Sequence, residues 1–365
     1  MNPLLEAIRQ NPLLWLLVFV PVVFAGKTLE PEAHTLLFVL SVLAIVPLAA
    51  LLSRATESVA ARTGDTVGGL LNATLGNLTE LVIALAALRA GQYMLVKASI
   101  AGAIVTNTLF MLGASFLLGG LKYHVQEYNR VNARLQAGLL FLATVALLIP
   151  SAATDSESAA AVAFTNELSV GLAVLLIATH ALGLVFSLKT HREFFGSAEH
   201  AEEAGEAPWP LGLSLTTLAG VTMLVALVSE VFVESVQEAA EAFGMTPAFV
   251  GFVVVALVGA AAEMASAFSG ARKNRLDLSV GIALGSASQI ALLVAPVLVL
   301  LSYVLGPTPM DLRFWPGAVV MMLLATLTAF LVTNTGRAAW FVGVLVLMVY
   351  LIFAMTLYML PPRPA

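Results

Sequence analysis

Two acidic side chains stand where acids are costly. Glu80 lies in LLNATLGNLTELVIALAALRAG, with Gly76 and Asn77, and Glu263 lies in VVVALVGAAAEMASAFSGARKN, with Gly259. Each run is otherwise apolar enough to be a membrane span, and a carboxylate at mid-bilayer costs about 2.5–3.5 kcal/mol on insertion scales. Glu263 follows Glu80 by 183 positions, and the same spacing relates Gly76 to Gly259, Arg89 to Arg272, Gly102 to Gly285 and Thr63 to Thr246. One isolated intramembrane Glu can be a helix-to-helix hydrogen-bond partner; two at matching positions point to a shared site. Such a pair has two inexpensive states, protonated or neutralised by a cation. A divalent cation cancels both charges, and metal binding expels protons from its ligands. Competition for one site, joined to alternating access, yields exchange.

Neutral oxygens stand on the next apolar run of each copy. In SIAGAIVTNTLFMLG they are Thr106 and Asn107; in IALGSASQIALLVAP they are Ser286, Ser288 and Gln289. Carboxylate, amide and carbonyl oxygens suit a hard cation such as Ca2+. No His or Cys lies beside the glutamates, which argues against a zinc- or copper-type site. Asn107 and Gln289 serve equally well as ligands or as interhelical hydrogen bonds, and Ser286 and Ser288 are weaker ligands. Gly76, Gly102, Gly259, Gly281 and Gly285 are expected to break or kink their helices where these line a cavity. Glu57 and Glu238 pair across the copies with a two-residue slip, near the mouths of their halves, where a gate role competes with that of ordinary surface acids. His180 reads as a packed histidine.

The elements that must position these groups are membrane helices. Of the 365 residues 60% are hydrophobic and 11% charged, and the mean hydropathy is +0.96. Soluble domains carry about a quarter charged residues. Eleven apolar segments can cross about 30 Å of hydrocarbon, near 12–28, 34–53, 66–89, 96–120, 131–150, 166–188, 209–230, 246–270, 277–305, 314–333 and 338–360. The first lacks a basic n-region and a small-residue cleavage site, so it is expected to be retained. There are no cysteines, hence no disulfides or thiolate metal sites. The expected fold is all-α and polytopic: a leading helix in 1–33, five spans in 34–188, an acidic cytoplasmic linker in 189–208 and five spans in 209–365. Because five is odd, the two sets cross in opposite directions, an inverted repeat that could bring Glu80 and Glu263 together near the midplane. With the N-terminus in the cytoplasm, 12 of the 17 Lys and Arg fall on cytoplasmic segments and the C-terminus is outside. The linker HREFFGSAEHAEEAGEAPWP holds five glutamates; it reads as a solvated connection, with a short cation-collecting helix at 193–204 as the alternative.

The first stretch, centred on G-N-x-x-E at Gly76, Asn77 and Glu80, resembles the first repeat motif of the cation/proton exchanger (CAX) family of the calcium/cation antiporter superfamily. GIALGSASQIALLVAPVLVL resembles the segment after that family's second motif, and the likeness covers essentially the whole chain. It implies a Ca2+/H+ antiporter of a prokaryotic plasma membrane, not an enzyme. The bilayer, Ca2+ and H+ would be its partners, no cofactor is implied, and homo-oligomers are implied by the family's habit. It implies cation-binding roles for Glu80 and Glu263, with Asn77, Asn107, Gln289 and Ser286 around them. The family's second motif is usually G-N-A-A-E-H; here Ala260 replaces the amide and Met264 the histidine. Competing readings are a Na+-driven or Mn2+ exchanger of the same superfamily, a cation channel, and an intramembrane enzyme with a carboxylate dyad.

Overall fold

The computed structural model describes residues 3–153, 158–191 and 208–360. The linker acids Glu193, Glu199, Glu202, Glu203 and Glu206, and with them the short helix expected at 193–204, lie outside the described residues. Nearly everything else is helix, as a bilayer demands: with no water to satisfy backbone groups, a spanning segment must bond to itself.

A short amphipathic helix, α1 (Pro3–Gln10), precedes α2 (Pro12–Leu29), whose first turns are 3-10. The first set of spans is α3 (His34–Arg62), the pair α4 (Asp65–Leu75) and α5 (Leu78–Arg89), α6 (Tyr93–Tyr123), α7 (Arg130–Ala153) and α8 (Ala159–Val185). The second set is α9 (Leu211–Ala242), the pair α10 (Pro247–Gly259) and α11 (Ala261–Arg272), α12 (Leu276–Leu305), α13 (Pro316–Thr333) and α14 (Trp340–Met359). Among the described residues ten helices are long and apolar enough to cross a membrane, and the α10–α11 pair, bent by 60°, makes an eleventh. Each coincides with an expected span.

The largest departures from expectation are at the ends of α3 and α9. Hydropathy fades near residues 53 and 230, yet the helices run on to Arg62 and Ala242. Ala, Glu and Arg are good helix formers wherever water can solvate them, so the end of the hydrocarbon does not end the helix. Both extensions carry acids, Glu57 on one and Glu234 and Glu238 on the other.

Helices α3 and α9 pack along their lengths, with the Phe38 and Phe232 rings stacked 5.3 Å apart. They are antiparallel: His34, at the start of α3, meets Glu238 near the end of α9 at 3.1 Å. At the other end Arg62 donates to the carbonyls of Pro208 and Trp209. The remaining contacts come in matched sets. Helix α6 packs on α14 as α12 packs on α8; α7 meets α12 as α13 meets α6; and α7 meets α13. A two-stranded clasp, β1 (Val125–Glu127) against β2 (Arg337–Ala339), pairs Val125 with Ala339 and Glu127 with Arg337.

Close packing between spans rests on small residues, because lipid offers no hydrophobic reward for helix association and backbones must approach to gain dispersion contacts. At the α6–α14 crossing a Cβ on Gly343 would stand 2.4 Å from the Leu117 nitrogen and 2.5 Å from the Gly113 oxygen. Both are backbone atoms, so no rotamer change relieves the clash. Gly343→Ala is therefore expected to destabilise the protein by about 1–3 kcal/mol through overpacking. Gly171→Ala on α8, where nothing lies within 4 Å, should be neutral or slightly stabilising through helix propensity. Thermal unfolding of the two variants in detergent checks this; equal melting points would refute it.

Candidate functional site

Both broken spans break at the same place. Helix α4 ends at Leu75 and α5 starts at Leu78 after Asn77 (φ −101°, ψ 31°); α10 ends at Gly259 and α11 starts at Ala261 after Ala260 (φ −80°, ψ 6°). Asn77 and Ala260 are 183 positions apart. Each break puts a carboxylate, Glu80 or Glu263, into the first turn of the following half-helix. There the unpaired N–H groups and the positive end of the helix dipole favour negative charge.

The two carboxylates lie near each other. A Cβ on Gly259 would lie 3.0 Å from Glu80 Cγ and 3.3 Å from its Oε1, so the Glu80 side chain rests on the second break, and only glycine leaves it room. Glu263 is near enough to feel the charge of Glu80. Both residues are half-buried. Glu80 Oε1 and Glu263 Oε2 are fully buried and have no hydrogen-bond partner among the described residues.

Around them runs a chain of neutral groups that crosses repeatedly between the two sets of spans. Asn77 Nδ2 donates to Gln289 Oε1 at 2.8 Å, Ser286 Oγ donates to Asn77 Oδ1 at 2.6 Å, and Asn107 Nδ2 donates to Ser286 Oγ at 2.8 Å. The Ser286 hydroxyl also lies close to Glu263. Asn107 Oδ1, in a residue with no solvent exposure, has no partner. All six groups expected at the site, Glu80, Glu263, Asn77, Asn107, Gln289 and Ser286, thus occur in one cluster. A cavity of about 10 Å3 adjoins Glu80, lined by Ala84, Ser99, Ala103, Val255 and Ile290 among others.

Other candidates fall elsewhere. Ser288 donates to the carbonyls of Leu284 and Gln136, and Thr106 donates to Tyr350 Oη at 3.5 Å. Glu57 accepts from Ser53 Oγ at 3.1 Å and lies close enough to Glu263 to interact with it electrostatically. Glu238 is at the opposite end of the α3–α9 pair. With Glu234 and Glu230, one and two turns back, it faces a row of basic groups: Arg89 at 3.6 Å from Glu230, Lys27 at 2.8 Å from Glu234 and His34 at 3.1 Å from Glu238. Glu57 and Glu238 therefore do not act at one mouth. His180 keeps its Nε2 buried and unpartnered within α8.

One expectation is corrected. Gly102, Gly281 and Gly285 do not kink their helices; α6 and α12 run through them as regular α-helix. The irregularity comes just afterwards, as π-helical turns over Thr106–Met111 and Ile290–Val294, at equivalent positions of the two sets. A π-turn widens the helix by one residue and commonly occurs at functional sites. Here Asn107 lies within the first turn and Gln289 immediately precedes the second. Neither TNTLFM nor IALLV contains Gly or Pro, so only the polar residues Asn107 and Gln289 could have flagged them.

This geometry can be set beside known proteins. The profile of a family described as sodium/calcium exchanger protein matches residues 33–189 and 213–359. A Ca2+/H+ antiporter of Synechocystis is 41% identical over 361 residues, covering 95% of this chain and 96% of that protein. The Ca2+/H+ antiporter ChaA of Bacillus subtilis is 39% identical over 345 residues, covering 93% and 97%. Among solved structures, the Ca2+/H+ antiporter protein YfkE matches with a TM-score of 0.81 at 34% identity, covering 96% of this chain and all of that one. The H+/Ca2+ exchanger CAX, at 17% identity and a TM-score of 0.74, shares the fold. Matched over both sets of spans and across nearly the full length of these relatives, the chain is a multi-spanning membrane transporter that belongs to the sodium/calcium exchanger family.

Proposed function

We propose that this chain is a Ca2+/H+ antiporter in which Glu80 and Glu263 bind Ca2+ and protons in turn. The observation that carries the reading is the pair of half-buried carboxylates at two facing half-helix N-termini, each with a buried oxygen that nothing donates to. Two negative charges with no basic partner among the described residues call for a divalent cation or for two protons. Glu80 and Glu263 are the principal ligands, with Asn77, Asn107, Gln289 and Ser286 holding them in register and lending neutral oxygens. Oxygen-only ligation fits Ca2+, whose coordination is flexible, better than the softer transition metals. The antiporters named above support the same reading.

Alternating access follows from an inverted arrangement of five spans in residues 34–188 and five in residues 209–365, after one leading helix. The antiparallel α3–α9 pair and the matched packing of the other spans support it. The N-terminus faces the cytoplasm of a bacterial-type plasma membrane and the C-terminus the outside, which the distribution of Lys and Arg favours. Glu57 then lies at the cytoplasmic mouth as a collecting carboxylate, and Glu238 belongs to the ion-paired outer closure. Like other members of the family the chain assembles with copies of itself, and the membrane is its setting.

A Na+-driven exchanger would need further acidic or hydroxyl ligands for separate Na+ sites. Among the described residues no cluster of three or more His, Cys, Asp or Glu is present.

Three measurements test this. In inside-out vesicles, 45Ca2+ uptake should follow an imposed pH gradient and vanish in Glu80→Gln and in Glu263→Gln; uptake surviving either change would remove that carboxylate from the site. Ser286→Ala takes away the hydroxyl that donates to Asn77 and accepts from Asn107, at about 0.5–1.5 kcal/mol for each hydrogen bond, and should weaken the apparent Ca2+ affinity at least about threefold without abolishing transport. An unchanged affinity would place Ser286 outside the binding network. Because the chain has no cysteine, single cysteines at Arg337 and Arg313 report topology directly. An impermeant maleimide should label the first only from the cytoplasmic side and the second only from outside, and the reverse pattern would invert the assignment.

A further inference from the structure

The polar groups around the two carboxylates are not shared equally between the copies. At the 183-residue spacing Asn77 matches Ala260, Ser286 matches Ala103, Gln289 matches Thr106 and Asn107 matches Ile290. Three of the four polar groups thus have an apolar mate, and the remaining mate, Thr106, donates to Tyr350 Oη of α14 instead. The network comes close to Glu263 through Ser286. Among the described residues no hydrogen bond joins any of its four members to Glu80.

The mates make a different kind of wall. Ala103 and Ile290 line the cavity of about 10 Å3 beside Glu80, together with Ala84, Ile100, Val255 and Val294 among others. Besides Glu80, its one polar side chain is the half-buried Ser99, which donates to the Val96 carbonyl at 2.8 Å and so keeps its lone pairs for a donor. The space is about that of one water. It cannot dress a Ca2+ ion, which takes six to eight oxygens, but a proton needs no more than a water and a hydroxyl on its way. On the topology proposed above, Ser99, within the first two turns of α6, puts this cavity on the outer side of Glu80. Glu57, which acts on Glu263, lies toward the cytoplasm. Among the described residues Glu80 faces one titratable group, Glu263 of α11, which in turn faces Glu57 of α3. Helices α6, α10 and α12 present none to the cavity. Lys97 of α6 is paired with Asp311, and Glu230 of α9 with Arg89 at the outer end of α5.

We propose that the two carboxylates divide the exchange: Glu263, with the oxygens of Asn77, Asn107, Gln289 and Ser286, is the seat of Ca2+, and Glu80 is the group through which protons return, by way of the Ser99 cavity. The inference rests on the Ca2+/H+ reading above. Ca2+ from the cytoplasm settles against Glu263, and the protons of both carboxylates are released. On the return, a hydronium in the cavity, held by the Ser99 oxygen, passes its proton to Glu80 Oε1. One O–H bond breaks on the hydronium, one forms on the carboxyl, and water stays behind. Glu80 then no longer offsets the ion's second charge; Ca2+ departs, and Glu263 takes its own proton last.

The test measures equilibrium binding of 45Ca2+ to the purified full-length protein in nanodiscs as a function of pH. Wild-type binding should weaken as the pH falls, because protons compete for both carboxylates. Glu80→Gln should still bind Ca2+, weakened about tenfold because ligand charge count sets the affinity, and its pH dependence should show the steepness of one competing proton rather than two. Glu263→Gln should show no saturable binding at any pH. Glu80→Asp and Glu263→Asp, which keep both charges, repeat the comparison should an amide variant fail to fold, and the change at Glu263 should again be the more damaging. In vesicles, Ser99→Ala should slow pH-driven 45Ca2+ uptake at least about threefold through the lost hydrogen bond, with equilibrium binding unchanged and Ser99→Thr restoring the rate. Unchanged uptake, or slow uptake accompanied by weakened binding, would remove Ser99 from the proton's route. Equal loss of binding in the two glutamate variants, while the wild type still exchanges Ca2+ for H+, would overturn the division and leave the proposed function standing. Wild-type binding indifferent to pH would overturn the proposed function itself.

Discussion

Two carboxylates lie near each other in a low-dielectric interior, and neither forms an ion pair with a basic side chain among the described residues. Every ion pair among the described residues lies elsewhere: Lys27 with Glu234, Arg89 with Glu230, Lys97 with Asp311, Arg337 with Glu127, and His34 with Glu32 and Glu238. If the two carboxylates bind Ca2+ and protons in turn as proposed, a fixed cation beside either would leave no charge for a mobile ion to cancel. Insertion of an acid at this depth, and its repulsion from a second one, is costly unless a proton or a cation compensates it.

That constraint explains the backbone around it. Irregular backbone in a membrane protein is tolerated where it is buried in protein or lines a cavity; further π-turns lie over Phe186–Thr190 and Val250–Val255. The breaks at Asn77 and Ala260 and the π-turns after Val105 and Gln289 all fall around the same two carboxylates. The neutral network is equally economical. Its three hydrogen bonds join Asn77 and Asn107 of one set of spans to Ser286 and Gln289 of the other, so neither set can assemble the ring alone. Mutual orientation of the halves and construction of the site are one event.

Much of this is legible in the sequence because the bilayer makes deviations expensive. An acid in a long apolar run stands out, and so does its echo 183 positions later. The asparagine, serine and glutamine that join the cluster are visible for the same reason. What escapes is whatever carries no marked residue. Ala260 breaks its span as Asn77 breaks the other, yet nothing in GAAAEM announces a helix end; the break belongs to the packing of Glu80 against Gly259. The π-turns contain no breaker, and glycines that invite a kink, Gly102 above all, are spent on close helix contact instead. The far ends of α3 and α9 extend beyond the hydropathy signal because hydropathy reports lipid contact, not helix. Three-residue strands joining two distant loops are invisible to any local pattern.

The difference between the two half-helices, finally, is written into their side chains. Where α10 carries Val255 and Leu257, α4 carries Asn72 and Thr74 at the equivalent positions. Exposing apolar surface to water costs about 25 cal/mol per Å2, whereas an amide and a hydroxyl lose little on hydration. The two half-helices therefore differ in polarity at positions that the 183-residue spacing makes equivalent. Here the sequence breaks the symmetry that the repeat supplies, and it does so without altering either carboxylate.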